Sequence, residues 1–327
     1  MSYDRELEIA VSAVLDACKV CQTVQANLVT EDTLVKKDRS PVTVADMASQ
    51  AIIIHSLSQA FPNDPFVGEE TAADLKSSTI FLDQVVQNVQ QIHPSLKQDD
   101  VIRCIDKGNH EGGKTGRFWT IDPIDGTKGF LRKDQYAIAL ALIENGEVQL
   151  GLLGCPNLPV GTLSNPDEKG CVFIAGKDSE PVSRRLNDEK AMPLRVSEVN
   201  DISLSVFCES VESGHSSHSD SQKVAEMLGI RTEPVRIDSQ CKYATVARGE
   251  ASIYLRLPTR GDYQEKIWDH AAGAFLVESA GGKVTDIYGK DLDFSCGRIL
   301  AKNKGVIATN GTFHEEVLKA VQTVLGI

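Results

Sequence analysis

The chain lacks several features that define whole classes of protein. No run of apolar residues approaches the roughly 18 that a membrane-spanning helix needs. The first residues show none of the basic, apolar and small-residue regions of a secretory signal, so we expect a cytoplasmic protein. Basic residues are few: 34 Lys and Arg face 46 Asp and Glu, which leaves a net charge of −12. Such a surface repels polymeric nucleic acid, although a small phosphorylated ligand can still bind a local basic patch.

The cysteines show no disulfide framework. All eight are scattered singly apart from one Cys-x-x-Cys, formed by Cys18 and Cys21. This pair lies inside an apolar-periodic stretch and has no second pair nearby. We therefore expect reduced thiols, with Cys18 and Cys21 packed in a helix rather than engaged in redox or zinc chemistry.

Helical periodicity appears at the start of the chain. Residues 5–27 are predicted to form an amphipathic helix, and the polar, turn-rich stretch 30–41 is predicted to be a mobile loop. A second helix is expected to begin at Thr43, a good N-cap, with Asp46 in the capping-box position three residues on.

The pattern changes to strands after residue 116. Short apolar runs at 118–121, 136–143 and 148–153 predict strands, and Asn145-Gly146 predicts a hairpin turn between the last two. The run 136–143 places alanines on one face and larger aliphatic residues on the other. Because both faces are apolar, we expect helices to cover at least one side of this sheet.

The rest of the chain alternates between strands and helices. The stretch 165–193 is predicted to be loop-rich, with one strand at 170–175. A second domain is expected to start near Arg195, which divides the chain into 1–195 and 196–327. The predicted elements of this second part are strands at 204–208, 252–256 and 283–286 and helices at 221–228, 243–248 and 269–279. Together they indicate an α/β fold of packed layers.

One segment carries the strongest chemical signal. In Asp122-Pro123-Ile124-Asp125-Gly126-Thr127, two aspartates three apart follow an apolar strand, and proline and glycine favour a sharp turn. Such a turn can direct two carboxylates and a backbone carbonyl at one point. Oxygen-only ligation suits a hard cation, and magnesium more than calcium when the protein ligands are few. A solvated structural turn is the alternative.

Other acids raise the odds of a metal site, although each has an ordinary explanation. Glu69 and Glu70 follow a turn, and Glu70 can be simply exposed. Asp269 can serve only as a helix N-cap, and Asp46 only as a capping residue. The residue pattern alone does not establish that these acids converge.

These residues, in this order, resemble the signature of the lithium-sensitive inositol monophosphatase superfamily. The matching pieces are Asp46, Gly68-Glu69-Glu70, the run from Asp122 to Thr127, and Trp268-Asp269-His270 followed by Ala-Ala-Gly. The resemblance extends from about residue 7 to 305. It implies a layered αβαβα sandwich of two domains, like that of inositol monophosphatase and fructose-1,6-bisphosphatase, and a phosphomonoester hydrolase with two or three Mg2+ ions per site.

Within that superfamily, the chain is most similar to the branch that acts on bisphosphorylated nucleotides. The stretches that carry this likeness are 127–132, 214–218, 238–243 and 265–270. The implied reaction converts 3′-phosphoadenosine 5′-phosphate to AMP and phosphate, and its sulfated form is a second candidate substrate. The branch also implies lithium sensitivity and a monomer.

The resemblance assigns a role to each matched position. Side chains that would bind metal are those of Glu69, Asp122, Asp125 and Asp269, joined by the backbone carbonyl of Ile124. Asp46 and Thr127 would orient and deprotonate the attacking water. Residues that would hold the nucleotide are Thr127, His215, Ser239, Lys242 and Arg256.

Several alternatives stay open at this point. Either His215 or His218 can face the substrate, and either Asp46 or Glu69 can matter most for activating water. Lys242 and Arg256 have ordinary alternatives as a solvated helix-end lysine and a strand-edge charge. For the whole protein, the rival functions are inositol polyphosphate 1-phosphatase or inositol monophosphatase activity and a non-catalytic nucleotide sensor.

Overall fold

The computed structural model describes residues 3–27, 33–35, 41–73, 75, 78–164, 168–211, 218–258 and 263–327, with the backbone alone at 33–35, 41–43 and 218. Helix α1 (Asp4–Ala26) confirms the first predicted helix. Strands β1 (Thr33–Val35) and β2 (Pro41–Thr43) pair antiparallel, so the prediction of a loop throughout 30–41 was wrong at its paired residues. Helix α2 (Val44–Ala60) begins one residue after Thr43, as predicted.

A seven-stranded sheet follows in which each strand pairs with its neighbours in chain order. Its strands are β3 (Phe66–Gly68), β4 (Arg117–Asp125), β5 (Ala137–Glu144), β6 (Glu147–Pro159), β7 (Lys169–Gly176), β8 (Val182–Arg185) and β9 (Met192–Pro193). Strands β3 and β4 are parallel and the other pairs are antiparallel. The parallel crossover carries helices α3 (Thr79–Ile92) and α4 (Gln98–Asp106), which the sequence analysis did not predict.

The hairpin between β5 and β6 forms where it was predicted. Asn145 has φ 54° and Gly146 has φ 84°, the pair of positive values that a tight two-residue hairpin turn requires. Sequence reasoning was wrong about the loop-rich stretch 165–193, because β8 and β9 extend the sheet there by pairing edge to edge. It also ended the strand predicted at 118–121 too early, since β4 continues through Asp125.

A five-stranded sheet occupies the second part of the chain. Its order is β11-β10-β12-β14-β13, formed by β10 (Phe207–Glu209), β11 (Val235–Arg236), β12 (Ile253–Arg256), β13 (Lys283–Thr285) and β14 (Val306–Thr309). The helices that accompany the two sheets are α5 (Thr127–Arg132), α6 (His218–Met227), α7 (Cys241–Ala247), α8 (Ala271–Ser279) and α9 (His314–Leu325).

Three apolar cores show how these layers stack. The first joins α1 and α2 to one face of the larger sheet, and it contains the thiols of Cys18 and Cys21, which confirms their packing role. The second contains α7 and α8, which contact both sheets, together with Ala137 and Ala139 from β5. The third packs α6 and α9 on the far side of the smaller sheet. The layer order is therefore αβαβα, as the resemblance implied.

Small side chains allow the central helices to approach the larger sheet. A Cβ on Gly151 of β6 would lie 2.8 Å from the Ala272 carbonyl oxygen of α8, which is closer than real Cβ contacts.

Within the described part of the chain, no helix is long and apolar enough to cross a membrane. The division of the chain near Arg195 stays a prediction.

Candidate active site

Helix α2 carries three buried polar residues on one side. Asp46 is buried in its first turn, and Ser49 and Gln50 lie on the same side of the helix, three and four residues on. The Ser49 hydroxyl donates to the Pro123 carbonyl at 3.0 Å. Gln50 donates from Nε2 to the Glu70 carbonyl at 2.8 Å and accepts from the Glu70 amide at Oε1 at 3.0 Å. One helix therefore sets the position of both acidic segments relative to Asp46.

A bulge in β4 aims its two aspartates in the same direction. Residues three apart on a regular strand point to opposite faces of a sheet. Here Asp122 pairs with Ala139 and Asp125 pairs with Ala137, so three steps along β4 match two along β5. Because the two alanines share a face, the extra residue turns both carboxylates toward that face.

Gly126 allows the second part of the chain to close over this turn. It has φ 87°, and a Cβ there would lie 2.8 Å from the Ser239 Cβ. Thr127 then begins α5, and its hydroxyl donates to the Ile124 carbonyl at 3.4 Å. The Gln240 amide donates to Asp125 Oδ2 from the facing segment. The carboxylates of β4 therefore lie at the junction between the two sheets.

Five carboxylates converge at this junction. The pKa of Asp122 is raised well above its usual range, first by burial and then by the negative charges of Glu69, Asp125, Asp269 and Asp46. The pKa of Asp269 is also raised well above its usual range by burial, although the charge on Arg256 opposes this. Burial likewise raises the pKa of Asp125, against the charges on Lys242 and Arg256. Such mutual repulsion is costly unless positive charge is present among the acids.

The donors of this cluster fit a hard cation. The Asp122 Oδ1 atom is buried and accepts no hydrogen bond from any residue that the structure describes. Carboxylates and backbone carbonyls of the kind found here, such as that of Ile124, are the ligands preferred by Mg2+. A buried acceptor without a partner, set among four other acids, is what a divalent cation would satisfy.

Lys242 supplies positive charge from the facing segment. It lies in α7 and is 3% exposed, so it is not an ordinary solvated lysine. Its Nζ donates to the Ile237 carbonyl at 3.3 Å and lies 5.4 Å from the centre of the Tyr254 ring. Burial lowers the pKa of Lys242, while the charge on Asp125 opposes that shift.

Arg256 is a second cation, and a buried network holds it. Its Nε lies 2.8 Å from Glu265 Oε2, and its Nη2 lies 3.7 Å from Asp269 Oδ2. Glu265 also bonds His270 Nε2 at 3.0 Å, and the Tyr243 hydroxyl bonds His270 Nδ1 at 2.8 Å. Burial acts to raise the pKa of Glu265, but the charge on Arg256 and the hydrogen bond from His270 lower it to about 2. Glu265 is therefore an anion that forms an ion pair with Arg256 and accepts a hydrogen bond from His270, whose own pKa is lowered by burial.

The structure brings together most of the residues that the resemblance selected. Asp46, Glu69, Asp122, Asp125 and Asp269 meet in one cluster. Glu70 is buried, contrary to the alternative of an exposed acid, and its backbone bonds Gln50. Asp269 lies in a 3₁₀ turn two residues before α8, so it is not the N-cap of that helix. The roles assigned to these residues stay predictions.

The remaining predicted nucleotide-binding residues are a histidine and Ser239. His215 and the side chain of His218 lie outside the described part of the chain, so the choice between them also stays open. Ser239 lies at the junction with φ 66° and is 8% exposed.

Sequence reasoning missed several residues that position the acids. Gln50 could have been found from its spacing, because it lies one helical turn after Asp46. Gln240 donates from its side-chain Nε2 to the Trp268 carbonyl at 2.9 Å and from its backbone N–H to the Asp125 carboxylate. It therefore joins two acidic segments. Glu265 lies in the stretch 265–270 that carried the resemblance, but no role was assigned to it. Arg298 gave no signal, because its partners lie in other segments and only the fold brings them together.

The whole chain matches one family model. The model of the inositol monophosphatase family covers residues 2–325. Two solved structures have the same fold: an IMPase of Thermotoga maritima, with a TM-score of 0.67, 23% identity and 98% of each chain covered, and an inositol monophosphatase from Anabaena, with a TM-score of 0.61, 22% identity and 99% and 97% covered. The chain belongs to the inositol monophosphatase family, whose members depend on metal ions.

Curated relatives define a narrower group. A 3′(2′),5′-bisphosphate nucleotidase of Emericella nidulans is 46% identical over 99% of each chain. The nucleotidase of the same name from Schizosaccharomyces pombe is 44% identical, with 99% of this chain and 97% of the relative covered. The corresponding protein from Dictyostelium discoideum is 42% identical over 96% and 95%.

Proposed function

We propose that this chain is a magnesium-dependent 3′(2′),5′-bisphosphate nucleotidase, which hydrolyses 3′-phosphoadenosine 5′-phosphate to AMP and phosphate. The observation that carries the proposal is the meeting of five carboxylates with two cations, the buried Lys242 and the partly buried Arg256, at one junction. An acid cluster alone suits many metal enzymes. Lys242 and Arg256 beside it suit a substrate with a second phosphate, and the full-length relatives named above support a nucleotide as its carrier.

Four of the acids at the junction would hold the metal. Glu69, Asp122, Asp125 and Asp269 offer carboxylate oxygens, and the Ile124 carbonyl completes the set of ligands. When bound, magnesium ions supply positive charge that offsets the charge of the phosphate and lowers the pKa of a nearby water. We propose two or three ions, as the family resemblance implies, because five carboxylates carry more negative charge than one divalent ion offsets.

Asp46 and Thr127 would prepare the attacking water. Asp46 lies buried in the first turn of α2, beside the other acids of the cluster, and its carboxylate can accept a proton from a nearby water. The Thr127 hydroxyl donates to the Ile124 carbonyl, which leaves its oxygen lone pairs directed to accept from water. The water would attack phosphorus in line with the departing ribose oxygen.

The facing segment would hold the phosphate that is not cleaved. Lys242 can act as a compact point charge, and Arg256 as a planar fork that Glu265 keeps oriented. Ser239, His215 and Thr127 would complete the nucleotide site. Binding energy at this remote phosphate would orient the phosphate that is cleaved. We therefore expect faster hydrolysis of a substrate with two phosphates than of one with a single phosphate.

The test is phosphate release with Mg2+ from 3′-phosphoadenosine 5′-phosphate, its sulfated form, inositol 1-phosphate and inositol 1,4-bisphosphate, with and without lithium. We expect preferential, lithium-sensitive turnover of the nucleotide, lost in Asp122→Asn and kept in Asp99→Asn, an exposed control. Preference for an inositol phosphate would overturn the nucleotide assignment. Binding of the nucleotide without turnover would replace the enzyme by a sensor.

A further inference from the structure

Arg298 lies outside every motif that carries the family resemblance, yet it joins two of the acidic segments. Its main chain belongs to a stretch that pairs with the residues just before Asp269. The Ile267 amide donates to the Arg298 carbonyl at 3.2 Å, and the Leu300 amide donates to the Glu265 carbonyl at 2.9 Å. The backbone of Arg298 is therefore fixed against the segment that delivers Asp269.

The side chain of Arg298 reaches the other segment. Its guanidinium donates to the carbonyls of Gly68 at 2.6 Å, His110 at 2.9 Å and Gly108 at 3.2 Å. The partners are 188 to 230 residues away in sequence. A planar guanidinium with five N–H donors can bridge several carbonyls at once, which a lysine ammonium cannot do in the same geometry.

The bond to Gly68 acts directly on the peptide that leads into Glu69. The oxygen of this peptide accepts from Arg298, and its N–H, which belongs to Glu69, donates to the Ile121 carbonyl at 3.2 Å. Ile121 immediately precedes Asp122. The Gly68–Glu69 peptide is therefore held from both sides. Its N–H bonds the residue before Asp122, and its oxygen bonds Arg298, whose backbone is paired with the segment before Asp269.

An aromatic contact completes the arrangement. The Arg298 guanidinium carbon lies 4.9 Å from the centre of the Trp268 ring, and Trp268 is the neighbour of Asp269. Among the described residues Arg298 forms no ion pair, so its donors are committed to carbonyls. Losing this side chain would leave the Glu69 and Asp269 segments joined by fewer contacts.

We propose that Arg298 is a positioning residue, which sets the separation of the Glu69 and Asp269 carboxylates and so the affinity of the site for Mg2+. The inference rests on the proposed function, in which these two carboxylates bind metal. Replacing a residue that orients metal ligands typically lowers metal affinity by about 10-fold to 100-fold. We expect a loss of this size in Arg298→Met and a smaller loss in Arg298→Lys.

Arg117 offers a matched control. It is also half-buried, it lies 5.4 Å from the centre of the Phe61 ring, and it bonds Asp64 and Glu6, away from the acid cluster. Arg117→Met should lower stability by an amount similar to Arg298→Met while leaving Mg2+ affinity within about twofold of the wild type.

The experiment is a calorimetric titration of the full-length protein with MgCl2 in the absence of nucleotide, paired with phosphate release as a function of Mg2+ concentration. We expect weaker Mg2+ binding in the Arg298 variants and recovery of turnover at high Mg2+. If Arg298→Met does not fold, Arg298→Lys decides the matter.

Equal Mg2+ affinity in wild type and Arg298 variants would overturn the inference, and so would an equal loss in Arg117→Met, because general destabilisation would then explain it. A wild-type protein that neither binds Mg2+ nor releases phosphate would instead contradict the proposed function.

Discussion

Replacing Gly68 with alanine would test how tightly the acidic turn is held. Gly68 ends β3 directly before Glu69, and it lies against the amide of Gln50. A Cβ at this position would lie 2.6 Å from Gln50 Oε1, 2.7 Å from Cδ and 2.9 Å from Nε2. Contacts this short do not occur, so the Gln50 amide would have to move.

That movement would break a defined set of hydrogen bonds. Gln50 is fully buried and makes two bonds to the Glu70 backbone, at 2.8 and 3.0 Å, and one to the Ile105 carbonyl at 3.3 Å. Losing the two shorter bonds costs about 2 kcal/mol, and leaving buried polar groups unpaired adds about 1–3 kcal/mol. We therefore expect Gly68→Ala to lower the free energy of unfolding by about 3–5 kcal/mol.

Activity should fall as well, because Glu69 lies between Gly68, which is replaced, and Glu70, whose backbone loses its bonds to Gln50. A shift of about 1 Å in a group that organises the reaction can cost about 100-fold in rate. The measurements are urea unfolding and Mg2+-dependent phosphate release. Gly161→Ala is the control, since a Cβ on Gly161 would meet nothing within 4 Å.

A double mutant identifies the cause. In a Gln50→Ala background the amide is gone, so the added methyl group has room. Gly68→Ala should then cost at least about 2 kcal/mol less than it does in the wild type. An equal cost in both backgrounds, or a cost no greater than that of Gly161→Ala, would refute the steric argument.

Three further predictions follow from single side chains. Asp122→Asn should raise the free energy of unfolding of the metal-free protein by on the order of 1–3 kcal/mol, because it removes a buried unpaired charge, and should slow hydrolysis at least about 100-fold; thermal melts with and without Mg2+ and phosphate release check both. Lys242→Met should raise KM for the bisphosphate about 10-fold to 100-fold through the lost charged hydrogen bond, but not for a 3′-monophosphate, which steady-state kinetics would reveal. Burial and the charge on Lys283 lower the pKa of His314 to about 4, so the unfolded chain binds the proton more readily and stability should fall by about 2 kcal/mol between pH 7 and pH 5; urea unfolding should show a flatter pH dependence in His314→Asn.

Much of the fold could be predicted from local patterns. The helical period of residues 5–27, the Asn145-Gly146 turn and the alanine face of β5 depend on neighbours in the chain, and the structure confirms all three. Strands β8 and β9 were missed because they are only four and two residues long, too short to show an alternating apolar pattern. Their existence depends on pairing with β7 rather than on their own composition.

The candidate site divides in the same way. The order of the acids and the run from Asp122 to Thr127 are written in the sequence, and they were sufficient to select the family. The direction of the Asp122 and Asp125 side chains was not, because it depends on a bulge that exists only against β5. The burial of Lys242 and the bridge made by Arg298 also depend on partners from distant segments.

The sequence by itself therefore determined which chemical groups are present and in what order, since residue type and spacing are local properties. Only the tertiary structure decided how far apart those groups lie and how their charges interact. The pKa of Asp122 is raised first by burial and then by four acids, which come from segments as far apart in sequence as residues 46 and 269. Burial and Coulomb energy depend on distance in space, and the order of residues along the chain does not specify that distance.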